Sequence, residues 1–418
     1  MLRTRNSRGL LGERPAEGGA WSVLIGAVIA IGLLTLAPSS AEHTSSAFEC
    51  VFCGNRALAD ALVNVILYLP FGVGLSLVGC RTRHVLLLGI ALSTTIEAAQ
   101  FVLPGRDASS GDVIANTLGT CLGGLFVRSA PAWLDPSRRA ASGLCLGALL
   151  LAVAAFASTA YLLTPSFPET TYFGQWTPNL GHLARYRGRV LMATVGRVEI
   201  RPRRVQDSDG LRTSLLLGDT VEVWALAGPP VNRLASLFSI YDEFQREIFL
   251  VGPDGKDFAL RYRTRAADYR LDRPHLRIEQ RGDLSPGDSL FVRTWNSTTG
   301  RCLQLGAKTK CGIGYTVGSG WSLLFYAESF PRWLKRVLDV GWVAGLFLLV
   351  GFWTRTGVTG GTALLVAGLG LVIVPVASPL VMTPLTEWIG AGLGLAGGVA
   401  LQRAGRPANH SRSTSPTP

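Results

Sequence analysis

Residues Ala141–Leu163 read ASGLCLGALLLAVAAFASTAYLL, a run that contains no charged side chain. A bilayer core about 30 Å thick is crossed by a helix of roughly 20 apolar residues, so this run predicts a membrane-spanning helix. Comparable runs occur along the chain. In order, the candidate spans are Trp21–Pro38, Ala57–Gly79, Val85–Leu103, Asp112–Val127, Ala141–Leu163, Val337–Trp353, Gly360–Leu380 and Pro384–Leu401. The sequence therefore predicts a polytopic α-helical membrane protein with about eight transmembrane helices.

The composition supports this class. Only 16% of the 418 residues are charged, whereas soluble domains carry about a quarter, and the charges crowd between Pro165 and Arg336. A net charge of +12 could suggest nucleic acid. The arginines are instead scattered over loops and a folded region, with no patch interleaved with aromatic residues. We therefore expect no nucleic-acid partner.

The first span has two interpretations, because the preceding arginines at positions 3, 5, 8 and 14 suit both a signal peptide and a retained helix. Its apolar run is long for a signal peptide, which favours the helix. Lys and Arg in short loops are enriched on the cytoplasmic side. If successive spans cross the membrane in alternating directions, four basic regions lie on that side. They are the four arginines before the first span; Arg81 and Arg83; Arg128, Arg138 and Arg139; and Arg403, Arg406 and Arg412. We expect a multi-pass plasma (inner) membrane protein with both termini cytoplasmic, although Arg332, Lys335 and Arg336 run against the rule.

Between the fifth and sixth spans, continuous apolar runs are replaced by segments in which apolar and polar residues alternate. Glu247–Val251 and Lys256–Arg263 are joined by the turn residues Gly252–Gly255, which predicts a hairpin. Phe258, Leu260 and Tyr262 alternate with Ala259, Arg261 and Arg263, which predicts one dry and one wet face. Further strands are expected at Asp219–Ala225, Ser289–Thr294 and Trp321–Tyr326. Many short strands with Gly, Pro and Asp between them predict an extracytoplasmic all-β antiparallel sandwich.

Three segments of the insert carry a family resemblance: Asp219–Ala225 (DTVEVWA), Leu237–Tyr241 (LFSIY) and the Phe249–Tyr262 hairpin. They resemble the concanavalin A-like (laminin G-like) sandwich family. The resemblance implies a glycan or protein ligand, in some relatives with calcium, but no calcium ligand set can be assigned in this chain.

The seven cysteines fall into three groups. Cys80, Cys121 and Cys145 lie in or at the ends of spans, where a thiol behaves as a small hydrophobe. Cys302 and Cys311 lie outside the cytoplasm, where a disulfide is expected. Cys50 and Cys53 form either a bridge or two free thiols. Zinc held with His43 is less favoured, because a structural zinc site needs four ligands, so we expect no metal and no cofactor.

Ionisable groups inside spans are costly and are candidates for function. The second span carries Asp60 and Asn64, the third Glu97 and Gln100, and the fourth Asp112 and Asn116, each pair on one helix face. The predicted topology puts all three pairs at one depth near the outer leaflet, beside Arg106 in the third-to-fourth connection.

The same residues carry a second resemblance, over about Ala57–Val127. Asn64-x5-Pro70-Phe71-Gly72 is followed by Glu97-x2-Gln100-x3-Pro104-x-Arg106-x5-Asp112-x3-Asn116-x2-Gly119-x3-Gly123, and this pattern resembles the VanZ-like family. The resemblance implies a cell-envelope protein with a link to glycopeptide-antibiotic tolerance and no settled molecular activity. The large sandwich insert departs from the minimal family protein.

Three interpretations of the polar set remain open. In the first it only holds helices together, with Glu97 paired to Arg106 and Gly119-x3-Gly123 allowing close packing. In the second it binds a polar headgroup, because Arg suits phosphate. In the third Glu97 and Asp112 act as acid and base, but no nucleophile–base pair or known catalytic motif is visible, so no catalytic residue is assigned. The last three spans are rich in Gly-x3-Gly, and Asp339 and Glu387 near their outer ends could extend the polar set.

These observations divide the chain into a basic cytoplasmic start (1–20), a VanZ-like five-helix region (21–164), the extracytoplasmic sandwich (165–333), three C-terminal spans (334–403) and a disordered cytoplasmic tail (404–418). The predicted function is binding of an anionic lipid or lipid-linked wall-precursor headgroup at the outer-leaflet pocket, with the sandwich binding a glycan or protein. An enzyme that remodels envelope lipids and a structural or adhesion anchor are the alternatives.

Overall fold

The computed structural model describes residues 17–37, 51–52, 54–104, 106, 108–181, 183–279, 285–327, 330–355 and 357–405. These residues form two compact units. The first comprises the described chain up to Ser137 together with Tyr269–Asp272, and the second comprises Arg138–Asp268 and the chain from Arg273 onward. The fifth expected span therefore groups by its contacts with the last three spans rather than with the first four.

The first unit contains five helices: α1 (Glu17–Thr35), α2 (Ala57–Leu77), α3 (Thr82–Gln100), α4 (Ser110–Arg128) and the short α5 (Ala130–Leu134). Its apolar core takes Ile31 from α1, Tyr68 and Phe71 from α2, and Ile96 from α3. Helix α1 thus packs as a member of the bundle.

Helices α2 and α4 approach each other through glycine. A Cβ built on Gly119 would lie 2.2 Å from the carbonyl oxygen of Val65, and one on Gly123 would lie 2.1 Å from that of Leu69. Small residues at this spacing let two helix backbones touch. The close packing predicted from Gly119-x3-Gly123 is confirmed.

A distant piece of chain, Tyr269–Asp272, belongs to the first unit. Arg56 forms an ion pair with Asp272 at 3.3 Å, Arg270 donates to the Phe52 carbonyl at 2.6 Å, and the Ala59 N–H donates to the Arg270 carbonyl at 3.4 Å. The start of α2 is therefore fixed by residues more than two hundred positions further along the chain.

The second unit contains the helices α6 (Arg138–Leu162), α7 (Ser208–Leu217), α8 (Arg332–Trp353), α9 (Gly357–Val376) and α10 (Leu385–Ala404). Gly394 and Gly398 of α10 lie against α8, where an added Cβ would come within 2.2 Å of the carbonyl oxygens of Ala344 and Leu348. The Gly-x3-Gly spacing in α10 thus marks a helix contact, as predicted. Gly341 and Gly345 of α8 face open space.

A helix occupies each of the eight expected spans in the described chain. Within the part of the chain that the structure describes, four helices are both long and apolar enough to cross a bilayer: Gly18–Thr35, Ala57–Leu77, Arg138–Leu162 and Arg332–Trp353. The chain is therefore a helical membrane protein by length and composition. The count of eight spans and their orientation remain predictions.

The second unit also contains two antiparallel sheets. The first has the order β1-β5-β6-β7-β8 and the second the order β11-β10-β9-β4-β2-β3. The strands are β1 (Tyr172–Trp176), β2 (Arg189–Val195), β3 (Val198–Glu199), β4 (Val221–Leu226), β5 (Phe238–Asp242), β6 (Glu247–Asp254), β7 (Asp257–Tyr262), β8 (Leu276–Glu279), β9 (Ser289–Ser297), β10 (Gly300–Leu305) and β11 (Lys308–Ile313). The predicted β domain is confirmed, as is the β6–β7 hairpin. Its turn is shorter than predicted, because Gly252, Pro253 and Asp254 belong to β6 and pair with β7.

Two predictions within this domain are wrong. The face of β7 expected to be exposed to water is buried, because Arg261 forms a two-pronged ion pair with Glu247, with both N···O distances at 2.5 Å. The strand expected at Trp321–Tyr326 is instead a 3-10 helix, Val317–Leu323. Thr316 and Ser319 form a capping box at its start, which satisfies the free backbone N–H groups of a helix rather than of a strand.

Cys302 and Cys311 form a disulfide that joins β10 to β11. Cys80, Cys121 and Cys145 are free thiols. His43, Cys50 and Cys53 lie outside the described residues, as do the arginines before α1 and the tail after Gly405.

Candidate functional site

The candidate site is a polar network where α1 and α3 end and α2 and α4 begin. Seven residues were predicted for it from the sequence. Glu97, Gln100 and Asn116 are buried, Asn64, Arg106 and Asp112 are half-buried, and Asp60 is exposed. The contacts of Glu97, Gln100, Arg106 and Asn116 show what these residues hold in place.

Glu97 fixes the connection from α3 to α4. Its side chain is 3% exposed, and its Oε2 accepts a hydrogen bond from the Ser109 N–H at 2.7 Å. Ser109 is the N-cap of α4, and its Oγ accepts from the Gly111 N–H at 3.1 Å. A buried carboxylate therefore holds the residue that starts the next helix, and sequence reasoning missed Ser109 as a member of the network.

Gln100 and Arg106 bind the end of α1. Gln100 Nε2 donates to the Thr35 carbonyl at 3.0 Å, and Arg106 donates from Nε to the Ala37 carbonyl at 2.9 Å and from Nη2 to the Leu34 carbonyl at 3.1 Å. The last carbonyls of a helix lack partners within the helix and carry its partial negative charge. Among the described contacts Arg106 therefore caps α1, and the Glu97–Arg106 ion pair expected under the scaffold interpretation is wrong.

One helical turn deeper, Asn116 joins α4 to α3. Its Nδ2 donates to Ser93 Oγ at 2.9 Å, and Thr120 Oγ1 donates to the Asn116 carbonyl at 2.9 Å. Ser93 and Thr120 are fully buried. Neither was predicted from the sequence, although Ser93 precedes Glu97 by four positions and Thr120 follows Asn116 by four, so each continues the helical spacing.

Asn64 and Asp112 join α2 to α4 nearer the helix ends. The Asn64 side chain lies within hydrogen-bonding reach of the Asp112 carboxylate, and Asp60 lies close enough for its charge to act on Asp112. Asp60, Glu97 and Asp112 therefore place three carboxyl groups in one network, in which the charge of Arg56 acts on Asp60.

Three buried polar atoms in this network have no hydrogen-bond partner in the described structure: Tyr68 Oη, Gln100 Oε1 and Asn116 Oδ1. Tyr68 is fully buried in α2, and its hydroxyl faces Ser93 without forming a bond of good geometry. A buried polar group without a partner costs about 1–3 kcal/mol. The network therefore has donors and acceptors to offer that the protein itself does not use.

Asp339 and Glu387, expected as possible extensions of this set, have partners inside the second unit. Trp321 Nε1 donates to Asp339 Oδ1 at 2.8 Å, and the Gly318 N–H donates to Glu387 Oε2 at 3.1 Å. Thr316 Oγ1 also donates to Glu387. Both carboxylates thus hold the 3-10 helix Val317–Leu323.

Among the described residues, no group of three or more His, Cys, Asp or Glu side chains is arranged to hold a metal ion. The network contains carboxylates, amides and hydroxyls but no histidine within it. Its chemistry is that of hydrogen bonding and ion pairing with a polar partner.

Comparison with known proteins finds a family match for one segment of the chain. Residues 24–131 match the VanZ/LLP1 family, a stretch that runs from α1 to α5 and includes every residue of the network. No curated protein and no solved structure matches the chain.

Proposed function

We propose that this VanZ-like cell-envelope protein binds the polar headgroup of a membrane lipid, or of a lipid-linked wall precursor, in the network at the ends of α1–α4. The observation that carries the proposal is the set of three buried, unpartnered atoms, Tyr68 Oη, Gln100 Oε1 and Asn116 Oδ1. A ligand that supplies their missing hydrogen bonds removes the cost of leaving them unpaired.

The charges of the network indicate which kind of headgroup would suit it. Asp60, Glu97 and Asp112 accept hydrogen bonds, so they suit hydroxyl or ammonium groups of a headgroup. Arg106 uses two of its five N–H groups on α1, which leaves others for a phosphate. An anionic headgroup that combines a phosphate with hydroxyl or amino groups meets both requirements, whereas a bare phosphate meets only one.

The test uses Tyr68→Phe, which removes a buried hydroxyl that faces Ser93 without a hydrogen bond of good geometry. Without a ligand, deleting an unpaired buried hydroxyl should leave thermal stability unchanged or slightly higher. With a ligand bound to it, the same change should reduce the amount of lipid that co-purifies with the protein. Thermal stability in detergent and lipid mass spectrometry of the same preparations give the two measurements.

Ser93→Ala serves as the reference for a stability loss inside the network, because Ser93 Oγ accepts from Asn116 within the protein. Its loss should lower stability by about 1–3 kcal/mol under any interpretation. Arg106→Ala is a poorer probe, since it also uncaps α1. If wild-type protein carries no specific lipid and Tyr68→Phe changes nothing, the headgroup proposal is wrong and the network is a scaffold. A product formed from an added lipid by purified protein would instead favour the remodelling enzyme.

For the β domain we propose a concanavalin A-like sandwich that recognises a glycan. Trp224 of β4 and Phe291 of β9 are neighbours on one sheet face, with ring centroids 5.0 Å apart, and the Arg293 guanidinium lies over the Trp295 ring at 5.1 Å. Half-buried aromatic rings flanked by charged groups offer both apolar contact and hydrogen bonds to a sugar. Glycan-array binding by the full chain that survives Trp224→Ala would contradict this location and favour a protein ligand or an anchor role.

The resemblance to the VanZ-like family further suggests a role in glycopeptide-antibiotic tolerance. A strain that lacks the protein should then become more sensitive to teicoplanin, and re-expression of the wild-type chain should restore tolerance. Unchanged sensitivity would separate this protein from that phenotype.

A further inference from the structure

The edge of the second sheet carries a cleft that the headgroup proposal does not use. Its volume is about 600 Å³, and it lies where β3 and the start of α7 meet. The residues that line it include Val198, Ile200, Leu211, Arg201, Arg203 and Arg204. It therefore combines an apolar wall with three arginines.

The cleft has more positive than negative side chains, because three arginines line it with Glu199 and Asp207. Arg201 is hydrogen bonded to Glu199 in a two-pronged pair, at 3.0 and 3.2 Å. Asp207 caps α7 by accepting from the Gly210 N–H at 2.8 Å, so the helix end is already occupied and does not by itself make a site. Arg203 and Arg204 are exposed, and neither side chain is hydrogen bonded or ion-paired to another described residue.

The backbone holds these two arginines in place. The Gly174 N–H donates to the Arg203 carbonyl at 3.0 Å, and the Val205 N–H donates to the Tyr172 carbonyl at 2.8 Å. The backbone of Arg204 also forms an isolated antiparallel β-bridge with the backbone of Phe173 in β1. A segment fixed at both ends loses little backbone freedom when it binds a ligand, which favours affinity.

We propose that this cleft binds a polymer with repeated anionic groups, through Arg203 and Arg204, with the apolar wall contacting its backbone. Arginine presents a planar set of N–H donors that matches both phosphate and carboxylate. The shared requirement is negative charge repeated along a chain, so phosphate-bearing and carboxylate-bearing envelope polymers both fit. The inference concerns the second unit alone and does not depend on the headgroup proposal.

The test measures binding of the detergent-solubilised full chain to immobilised polyphosphate, polygalacturonate and neutral dextran. The double variant Arg203→Gln/Arg204→Gln should bind the anionic probes about tenfold more weakly, as expected for the loss of two exposed charge contacts. The matched control is Arg185→Gln/Arg187→Gln, which removes the same charge from exposed arginines of the same domain that do not line the cleft. It should bind within about twofold of wild type.

The proposal is supported if wild-type protein binds polyphosphate, polygalacturonate or both, and only the cleft variant loses this binding. Which of the two probes is bound then identifies the anionic group. Binding to neither, equal binding to dextran, or equal loss in both double variants overturns it, since the last result reflects net charge alone. Lipid retention by the same preparations reports separately on the headgroup proposal, so failure of one leaves the other intact.

Discussion

Gly119 of α4 lies against the backbone of Val65 of α2, so that a Cβ on Gly119 would come within 2.2 Å of the Val65 carbonyl oxygen. The neighbouring atoms of the contact are backbone atoms, which cannot rotate aside as a side chain can. The separation of the two helices is therefore set by glycine, and with it the approach of Asn64 on α2 to Asp112 on α4.

Replacing this glycine should disrupt the packing of the first unit. Gly119→Ala should lower the stability of the protein by about 1–3 kcal/mol or more, because the added methyl group forces α2 and α4 apart. Gly147→Ala in α6 is the matched control, since an added Cβ there meets nothing within 4 Å, and it should stabilise by about 0.5–1 kcal/mol. Thermal unfolding in detergent measures both. Equal stability of the two variants would contradict the close contact.

This part of the fold could be predicted from the sequence because helical periodicity makes it visible. Gly119 and Gly123 share a face, and so do Asp60 with Asn64 and Asp112 with Asn116. The partners of Arg106 could not be predicted in this way, because backbone carbonyls at the end of α1 leave no mark in the sequence. Tyr68 and Ser93 were missed because a hydroxyl within a span is unremarkable until its burial is known.

The β domain also has features that the sequence predicts and others that it does not. The β6–β7 hairpin could be predicted from its turn residues, but Gly252, Pro253 and Asp254 extend β6 instead of forming the turn. The pattern could not show that the polar side of β7 is also covered, where Arg261 is held by Glu247. Burial would raise the pKa of Glu247, but the Arg261 guanidinium and its hydrogen bonds hold it below the ordinary value. The role of Trp321 likewise could not be predicted from the sequence. Its indole N–H donates to the Asp339 carboxylate on α8.

The Cys302–Cys311 disulfide gives a prediction about oxidation. It joins two cysteines nine positions apart on β10 and β11, and closing so short a loop contributes about 2–3 kcal/mol at most. The double variant Cys302→Ser/Cys311→Ser should therefore lower the unfolding temperature while the protein stays folded. Mass spectrometry of non-reduced peptides from natively exported protein should recover the linked pair. Two free thiols there would show that the bond does not form in the cell.

The orientation of the chain gives a third prediction. Under the positive-inside rule the β domain lies outside the cytoplasm and the end of α10 lies inside. A reporter that is active only outside should therefore function when fused after Gly255, in the β6–β7 turn, and fail when fused after Gln402. Signals on opposite sides at these two positions require an odd number of crossings between them. Activity at Gln402 would overturn the eight-span topology, because α8, α9 and α10 supply the three crossings that it requires.

The pH dependence of the β domain should depend on Asp254, which lies at the end of β6. Its carboxylate contacts His275 Nε2 at 3.2 Å and Arg277 Nη2 at 2.5 Å. Burial would raise the pKa of Asp254, but the hydrogen bond from His275 and the charge of Arg277 outweigh burial and hold the pKa below its ordinary value. The folded protein therefore binds this proton less readily than the unfolded chain does, in which an aspartate titrates near pH 4.

The sign of the effect follows from this difference. A carboxylate whose pKa is lower in the folded state stabilises the protein at pH values above the unfolded pKa, and that stability is lost as the pH falls through the folded pKa. Asp254→Asn should therefore unfold at a lower temperature than wild type at pH 7, and the gap between the two should narrow below about pH 4. The measurement is thermal unfolding of both proteins from pH 3 to pH 7. A gap that stays constant across this range would show that the variant loses packing rather than the contacts of the ionised carboxylate with His275 and Arg277, because packing does not depend on protonation of the carboxylate.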